Sequence, residues 1–186
     1  LRELPPAFMH PIWAKLIRSL VDAPDVNAKR IGFDLPLLWD PGRLITNKQF
    51  DLTFRHAVID HLGTTKVVLS RGSQKLAEPY ESYPTFGYKP IALGNTNSLL
   101  DKDGVRRRVR LHTNIVKENG KVLNFSALLS GKCTLKKQNS CVDIPPEFLL
   151  LPEERLTNIP AYRLSDVIKC IDSPRGQKHL EKRFKN

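Results

Sequence analysis

Two helix-patterned segments alternate with two strand-patterned segments in the first 70 residues, and this order constrains the fold more than any other feature. Residues 11–21 (PIWAKLIRSLV) and 49–62 (QFDLTFRHAVIDHL) repeat apolar side chains at the spacing of one helix face. Residues 30–38 (RIGFDLPLL) and 64–70 (TTKVVLS) are short apolar runs that indicate buried strands. Helix–strand–helix–strand order with short links predicts parallel strands with helices packed on the sheet.

The later part of the chain indicates antiparallel strands and one more helix. Residues 105–116 alternate apolar and polar side chains, as a strand with one buried face does. Asn119-Gly120 is the strongest hairpin signal in the chain and joins this segment to the next apolar run. Residues 163–171 again repeat apolar side chains at helical spacing, and Ser165 is the candidate N-cap.

Together these patterns predict a single α/β domain over residues 1–186. We expect a mixed sheet with a parallel βα core, a C-terminal antiparallel hairpin and helices packed on the sheet. Three segments fall outside these elements: a long proline- and tyrosine-rich loop at 71–90, a cysteine-bracketed loop at 132–142 and a basic tail at 172–186. Because the chain opens on Leu rather than Met, we expect it to be a piece of a longer protein.

The chain is strongly basic, with 30 Lys and Arg against 19 Asp and Glu and a net charge of +11. Residues 94–186 hold 18 of the basic and 10 of the acidic residues, a net charge of +8. Such an excess attracts nucleic acid, anionic lipid or an acidic partner, or it is a solvated face with a frayed terminus. No aromatic residue interleaves with the arginines at 106–110 as stacking on bases requires, which favours the solvated face.

The chain has three cysteines, and two of them bracket a polar loop. A disulfide between Cys133 and Cys141 would stabilise the fold by about 2–3 kcal/mol and would persist only in an oxidising compartment. Two unpaired buried thiols are the alternative. The sequence has no CxxC pair and its histidines are scattered, so we predict no metal site.

The motifs of common enzyme classes are absent from the sequence. It contains no GxSxG, HExxH, GxxxxGK[ST] or GxGxxG segment, so we predict neither catalysis nor a cofactor. Asp101, Asp103 and Gly104 begin like a calcium loop, but the third acidic position and the distal glutamate are missing. We therefore predict a structural turn there.

Two charged residues are placed where a ligand could meet them. Asp34 ends the first predicted strand, and ligands of open α/β sheets collect at the carboxyl ends of strands. The alternative is that Asp34 caps a neighbouring loop through its own hydrogen bonds. Strand alternation directs Arg107 toward the core, where an arginine must be paired. Arg107 is then either an ion-pair partner, for Asp34 or Asp103, or an anion-binding residue.

Several segments, taken in order, resemble one known family. RIGFDLPL is followed by KVVLS, then GNTNSLLDKDGVRRRVRL, NGKVLNFSALL and IPAYRLSDVI. This succession is similar to the type-two CHASE domain, an extracellular sensory module associated with bacterial cyclases and histidine kinases. The resemblance covers most of the chain, and its matching motifs are Ile31–Asp34, Asp101–Leu111, Gly120–Leu129 and Ser165–Ile168.

The resemblance implies a sensory domain outside the cytoplasmic membrane, periplasmic or at the cell surface. Through membrane helices it would control an adenylate or guanylate cyclase, a histidine kinase or a related output domain. It implies an unidentified small-molecule or surface ligand, no nucleic-acid partner, no catalytic residues and a possible homodimer in the full receptor. It also favours the Cys133–Cys141 disulfide, because extracytoplasmic compartments are oxidising.

The chain departs from the family pattern at its C-terminal end. The family continues into a further apolar strand and membrane helices, whereas this chain stops at HLEKRFKN. We therefore expect the basic tail at 172–186 to end before that strand, close to a membrane surface. The alternatives to a receptor domain are a basic nucleic-acid-binding module and a soluble periplasmic ligand-binding protein.

A sensory domain needs a ligand site that differs between two conformations. The loop at 71–90 lies beside the predicted strands and carries Tyr80, Tyr83 and Tyr88. We expect this loop to line or cover the ligand site, next to Asp34.

Overall fold

The structure, a computed structural model, describes residues 9–34, 52–71, 91–96, 99–104, 106–115, 120–135, 140–149 and 160–184. In chain order its helices and strands are α1 (His10–Leu16), a π-helical turn (Ile17–Asp22), β1 (Ile31–Phe33), α2 (Leu52–Ile59), β2 (Val67–Arg71), β3 (Ala92–Asn95), β4 (Leu99–Leu100), β5 (Arg106–Arg110), β6 (His112–Ile115), β7 (Gly120–Leu123), α3 (Phe125–Leu129), β8 (Cys133–Thr134), β9 (Ser140–Cys141), β10 (Glu147–Leu149), α4 (Leu164–Ile171) and α5 (Pro174–Phe184).

The chain divides into two compact units. Residues 1–31, 39–60 and 159–186 form one unit, in which the described regular structure is almost entirely helical; we call it the helical unit. Residues 32–38 and 61–158 form the other, which contains most of the strands; we call it the sheet unit. The prediction of one domain over residues 1–186 stays a prediction.

The sheet unit is built on a parallel sheet of three strands in the order β1-β2-β3. Strands β2 and β3 pair in parallel from Val68 opposite Ala92 to Arg71 opposite Asn95. This confirms the α/β class and the parallel core. The strands on either side of Asn119 also pair antiparallel, β6 with β7, but they lie in mid-chain. The last described elements are helices, so a C-terminal hairpin is not observed there.

Helix α3 packs on this sheet because two glycines leave room for it. A Cβ on Gly94 would lie 2.4 Å from the Cα of Phe125, and one on Gly32 would lie 2.8 Å from side-chain atoms of Phe125 and Leu129. The core that this contact creates joins the sheet, the hairpin, α3 and the first cysteine. Its buried members are Val68, Ala92, Leu111, Leu123, Phe125, Ala127, Leu128 and Cys133.

The strand predicted at 105–116 is interrupted at Leu111. Strand β5 pairs with β4 and β10 in one small sheet, whereas β6 pairs with β7 in another. Leu111 is buried between them, donates its amide proton to the Pro146 carbonyl and accepts one from the Asn124 amide, both at 2.8 Å. Leu111 is thus the residue at which the chain passes from one small sheet to the other, and sequence alternation does not reveal this change of partner.

The helical unit is held by an aromatic cluster and by charged pairs. The ring of Trp13 meets those of His10 and Phe54 edge-on, at centroid distances of 4.8 and 5.5 Å. An ion pair between Lys15 and Asp172 links α1 to the residue after α4. The single helix predicted at 11–21 is instead α1 followed by a π-helical turn, a local widening that apolar spacing does not encode.

The C-terminal segment at 172–186, predicted only as a basic tail, contains helix α5. Its start follows ordinary capping rules, because the Ser173 hydroxyl accepts from the Gly176 amide at 3.1 Å and Pro174 occupies the first helical position. The predicted cap of α4 is wrong: Arg163 is the N-cap, without a side-chain bond, and Ser165 lies inside the helix. Among the described residues, none of the helices has the length and apolarity that a bilayer crossing requires.

Candidate functional site

The carboxyl edge of the parallel sheet is the first candidate site. Asp34 follows β1 directly and is exposed. Tyr80, Tyr83 and Tyr88 lie outside the described residues. The edge therefore presents one predicted ligand-binding residue to solvent, and its relation to the tyrosines stays a prediction.

The same edge is closed at β3 by the protein itself. Asn95 and Asn124 are 2% and 3% exposed, and they form a parallel bridge at the end of β3. The Asn124 Nδ2 atom donates to the Asn95 carbonyl oxygen at 3.1 Å. Because α3 begins at this point, the described part of the chain itself covers the end of β3.

The predicted turn is confirmed and has a charged neighbour that the sequence did not indicate. The Gly104 amide donates to the Asp101 carbonyl oxygen at 2.9 Å, and Gly104 has a φ of 79°, a conformation that glycine adopts readily. Arg108 Nε and Nη2 both donate to Asp101 Oδ1, at 3.0 and 2.6 Å. The hydrogen bond and the charge of Asp101 raise the pKa of Arg108 above its usual value, with a further contribution from Glu147.

Glu147 extends this pair into a small network on an exposed face. It lies opposite Arg110 in the β5–β10 register, at 3.2 Å from the Arg110 Nε atom and 3.5 Å from Arg108 Nη1. Two arginines and two carboxylates thus neutralise each other, so this part of the basic run is not a free anion site. Arg107 lies within β5, but its side chain is outside what the structure describes, and both predicted roles stay predictions.

The expected disulfide joins Cys133 to Cys141. The two residues face each other in the β8–β9 pair with a Cα–Cα distance of 4.0 Å. Cys133 is only 3% exposed, and its sulfur packs 3.3 Å from the Ala127 carbonyl oxygen. The bond therefore closes a short loop and fixes it to the core of the sheet unit.

One face of α5 presents exposed basic side chains that form no ion pair within the described residues. Arg175, Lys178, His179 and Lys182 recur at helical spacing and are all exposed. Leu180, on the opposite side of the helix, is buried. We call these four residues the cationic face.

Within the described ranges no group of three or more His, Cys, Asp and Glu side chains could hold a metal ion. The sequence missed the pairing of Arg108 with Asp101 and the cationic face. The cationic face could have been predicted from the sequence, because Ser173-Pro174 is a helix-start signal that places the basic residues after it on a helix.

The chain matches no protein-family model, no curated protein and no solved structure.

Proposed function

We propose that this chain is the extracytoplasmic signal-sensing domain of a bacterial transmembrane receptor whose output is a cyclase, a histidine kinase or a related enzyme. The observation that carries the proposal is the Cys133–Cys141 disulfide, which lies in the core of the sheet unit. A bond of this kind persists in the periplasm or at the cell surface and is reduced in the cytosol.

The motifs of the family resemblance support the same proposal, because each falls on a defined strand, turn or helix. Three of them involve the strands and α3, and the fourth, Ser165–Ile168, lies in α4 of the helical unit. Ile31–Phe33 is strand β1, and Asp34 follows it. Residues 101–104 form the turn before the arginine-bearing strand, and residues 120–129 form β7 and α3. In the proposed receptor the domain dimerises, and the cationic face of α5 lies near anionic lipid head groups.

The oxidation state of the cysteines in living cells tests the location. Cells that express the full parent gene are quenched in acid, alkylated with a maleimide-polyethylene glycol and compared with and without prior reduction. We expect Cys133 and Cys141 to resist alkylation until the disulfide is reduced. The measurement is made in a Cys170→Ser background, which removes the free thiol of this chain. Free thiols at both positions would contradict an extracytoplasmic location.

The ligand role of the sheet edge is tested by receptor output. We propose that Asp34 and the segment with Tyr80, Tyr83 and Tyr88 bind the signal. Asp34→Asn and the three Tyr→Phe substitutions should each reduce the signal-dependent change in cyclic nucleotide or phosphorylation, with basal output unchanged. Asp143→Asn, at an exposed carboxylate on a different loop, is the matched control. Unchanged output in all four variants would overturn this assignment.

A further inference from the structure

A cleft of about 210 Å³ opens within the helical unit. One wall is the π-helical turn and the residues after it; the other is formed by α4 and α5. Its floor is apolar, since Val26, Ile171 and Leu180 line it and are 4%, 4% and 6% exposed. The cleft therefore combines a dry floor with an open mouth, which is the general form of a small-molecule site.

The charge at the mouth of the cleft is negative, although the whole chain is basic. Three charged residues line it: Arg18, Asp25 and Glu181. Arg18 is already committed, because Nη1 donates to Asp22 at 3.0 Å and Nη2 to Asp60 at 2.5 Å. Asp22 and Asp60 do not line the cleft, so the charge of Arg18 is neutralised by residues outside it.

Asp25 and Glu181 carry the uncompensated charge of the cleft. Within the described part of the chain, neither carboxylate takes part in a hydrogen bond or an ion pair. Two carboxylates beside an apolar floor favour a positively charged ligand with an apolar body, because each attracts a nearby cation.

The walls of the cleft are held in place by contacts that do not involve a ligand. A Cβ on Gly176 would lie 2.4 Å from the Cα of Cys170, so α5 is pressed against α4 at this point. Gln177 Nε2 donates to the Ile171 carbonyl oxygen at 3.0 Å. On the other wall, Asn27 has a φ of 43° and donates its amide proton to the Ala23 carbonyl oxygen at 2.8 Å. A site fixed before binding loses less entropy when a ligand enters.

The backbone at this wall is unusual in two adjacent places. The π-helical turn that supplies Arg18 and Ser19 is a rare form that is frequent at functional sites. Asn27, directly after Val26, has the left-handed conformation that a non-glycine residue adopts rarely. Both features lie in the same wall of the cleft.

We infer that this cleft binds a small organic cation, an ammonium group on a compact apolar body. The apolar part would rest on Val26, Ile171 and Leu180, and the ammonium group would meet the carboxylates of Asp25 and Glu181. The volume lies below the roughly 300 Å³ at which sites for drug-sized ligands begin, which limits the ligand to about one ring or a short chain. This site is distinct from the sheet edge proposed above and does not depend on the receptor role.

The test uses three probes that share a cyclohexane ring and carry a positive, a neutral or a negative substituent. Cyclohexylammonium, cyclohexanol and cyclohexanecarboxylate are titrated into the full 186-residue chain and followed by amide chemical-shift changes and calorimetry. We expect saturable binding of cyclohexylammonium, at least tenfold weaker binding of cyclohexanol and none of the carboxylate. Shifts should concentrate at the residues of the cleft.

Variants then assign the binding to the cleft. Asp25→Asn and Glu181→Gln should each weaken cyclohexylammonium binding about tenfold, the usual effect of one charge-assisted contact. Asp166→Asn is the matched control, because it removes an exposed carboxylate of α4 that does not line the cleft. Ala23→Leu fills the cleft without changing charge and should abolish binding, with folding checked by circular dichroism.

Three results would overturn the inference: no saturable binding of the ammonium probe, equal binding of the carboxylate probe, or unchanged affinity in the Asp25→Asn, Glu181→Gln double variant. The measurement is made on purified protein and is independent of where the protein resides. A reduced Cys133–Cys141 pair in cells would therefore remove the receptor proposal and leave this one standing.

Discussion

Asn124 joins strand β3 to helix α3 with a single side chain. Its Nδ2 atom donates to the Asn95 carbonyl oxygen at 3.1 Å, while Oδ1 accepts from the amides of Ser126 and Ala127 at 2.9 and 3.4 Å. The side chain thus caps the helix and binds the end of the sheet in the place where Gly94 admits Phe125. Because Asn95 and Asn124 are both buried, water cannot replace these bonds.

Removal of this side chain should destabilise the sheet unit. We expect Asn124→Ala to lower the free energy of unfolding by about 1–3 kcal/mol, since it leaves buried polar groups without partners. Asn124→Ser keeps an oxygen for the cap but cannot reach Asn95, so it should lose less than Asn124→Ala. Urea unfolding followed by circular dichroism measures both, and equal stability of the alanine variant and wild type would contradict the proposed junction.

The disulfide should contribute measurable stability, because it closes a short loop whose ends are separated by 8 positions. We expect Cys133→Ala with Cys141→Ala, or chemical reduction of the wild type, to cost about 2–3 kcal/mol on the chain-entropy account. Cys170→Ser is the control, since that cysteine is free and reduction should affect this variant as it affects the wild type. An unfolding midpoint that is insensitive to dithiothreitol would contradict the prediction.

The sequence predicted the elements that depend on local pattern. The strands at 31–33 and 67–71, the turn at 101–104 and the antiparallel pair around Asn119 follow from apolar spacing and from residues such as glycine and asparagine that favour turns. Local rules suffice there, because each element is specified by neighbours in the chain.

The features that the sequence did not predict depend on distant partners. The chain changes partner strands at Leu111, whose backbone bonds to both Pro146 and Asn124, and neither lies close in sequence. Asp101 accepts from Arg108, whereas strand alternation had singled out Arg107. The cleft in the helical unit is formed by residues about 150 positions apart, such as Val26 and Leu180. A single sequence gives no contact of this range.

The two glycines of the sheet unit should respond differently to a methyl group. Gly94→Ala places a Cβ against the Phe125 backbone, which cannot move without displacing α3. We expect a loss of about 1–3 kcal/mol from overpacking. Gly104→Ala is the matched control, because no atom lies within 4 Å of its added Cβ and only the φ of 79° opposes it, at about 1 kcal/mol. If Gly104→Ala proves the more costly, the close contact of α3 with β3 is disproved.

The cationic face of α5 distinguishes the proposed receptor domain from a nucleic-acid-binding module. Arg175, Lys178 and Lys182 lie within one side of a helix and are exposed, so they can approach a charged surface together. Each basic residue near an anionic bilayer contributes about 1 kcal/mol. We therefore expect binding to phosphatidylglycerol–phosphatidylcholine vesicles that falls about 100-fold when all three are changed to Glu, and no binding to pure phosphatidylcholine.

The matched control for this face changes the same number of charges elsewhere. Lys29→Glu, Lys66→Glu and Lys132→Glu give the same net charge, but these exposed lysines are scattered over the chain. This variant should keep most of the vesicle binding, because net charge alone does not align three cations on one surface. Co-sedimentation at two salt concentrations makes the comparison, with duplex DNA as a competitor. DNA that binds more tightly than the vesicles, with a steep salt dependence, would favour the nucleic-acid alternative instead.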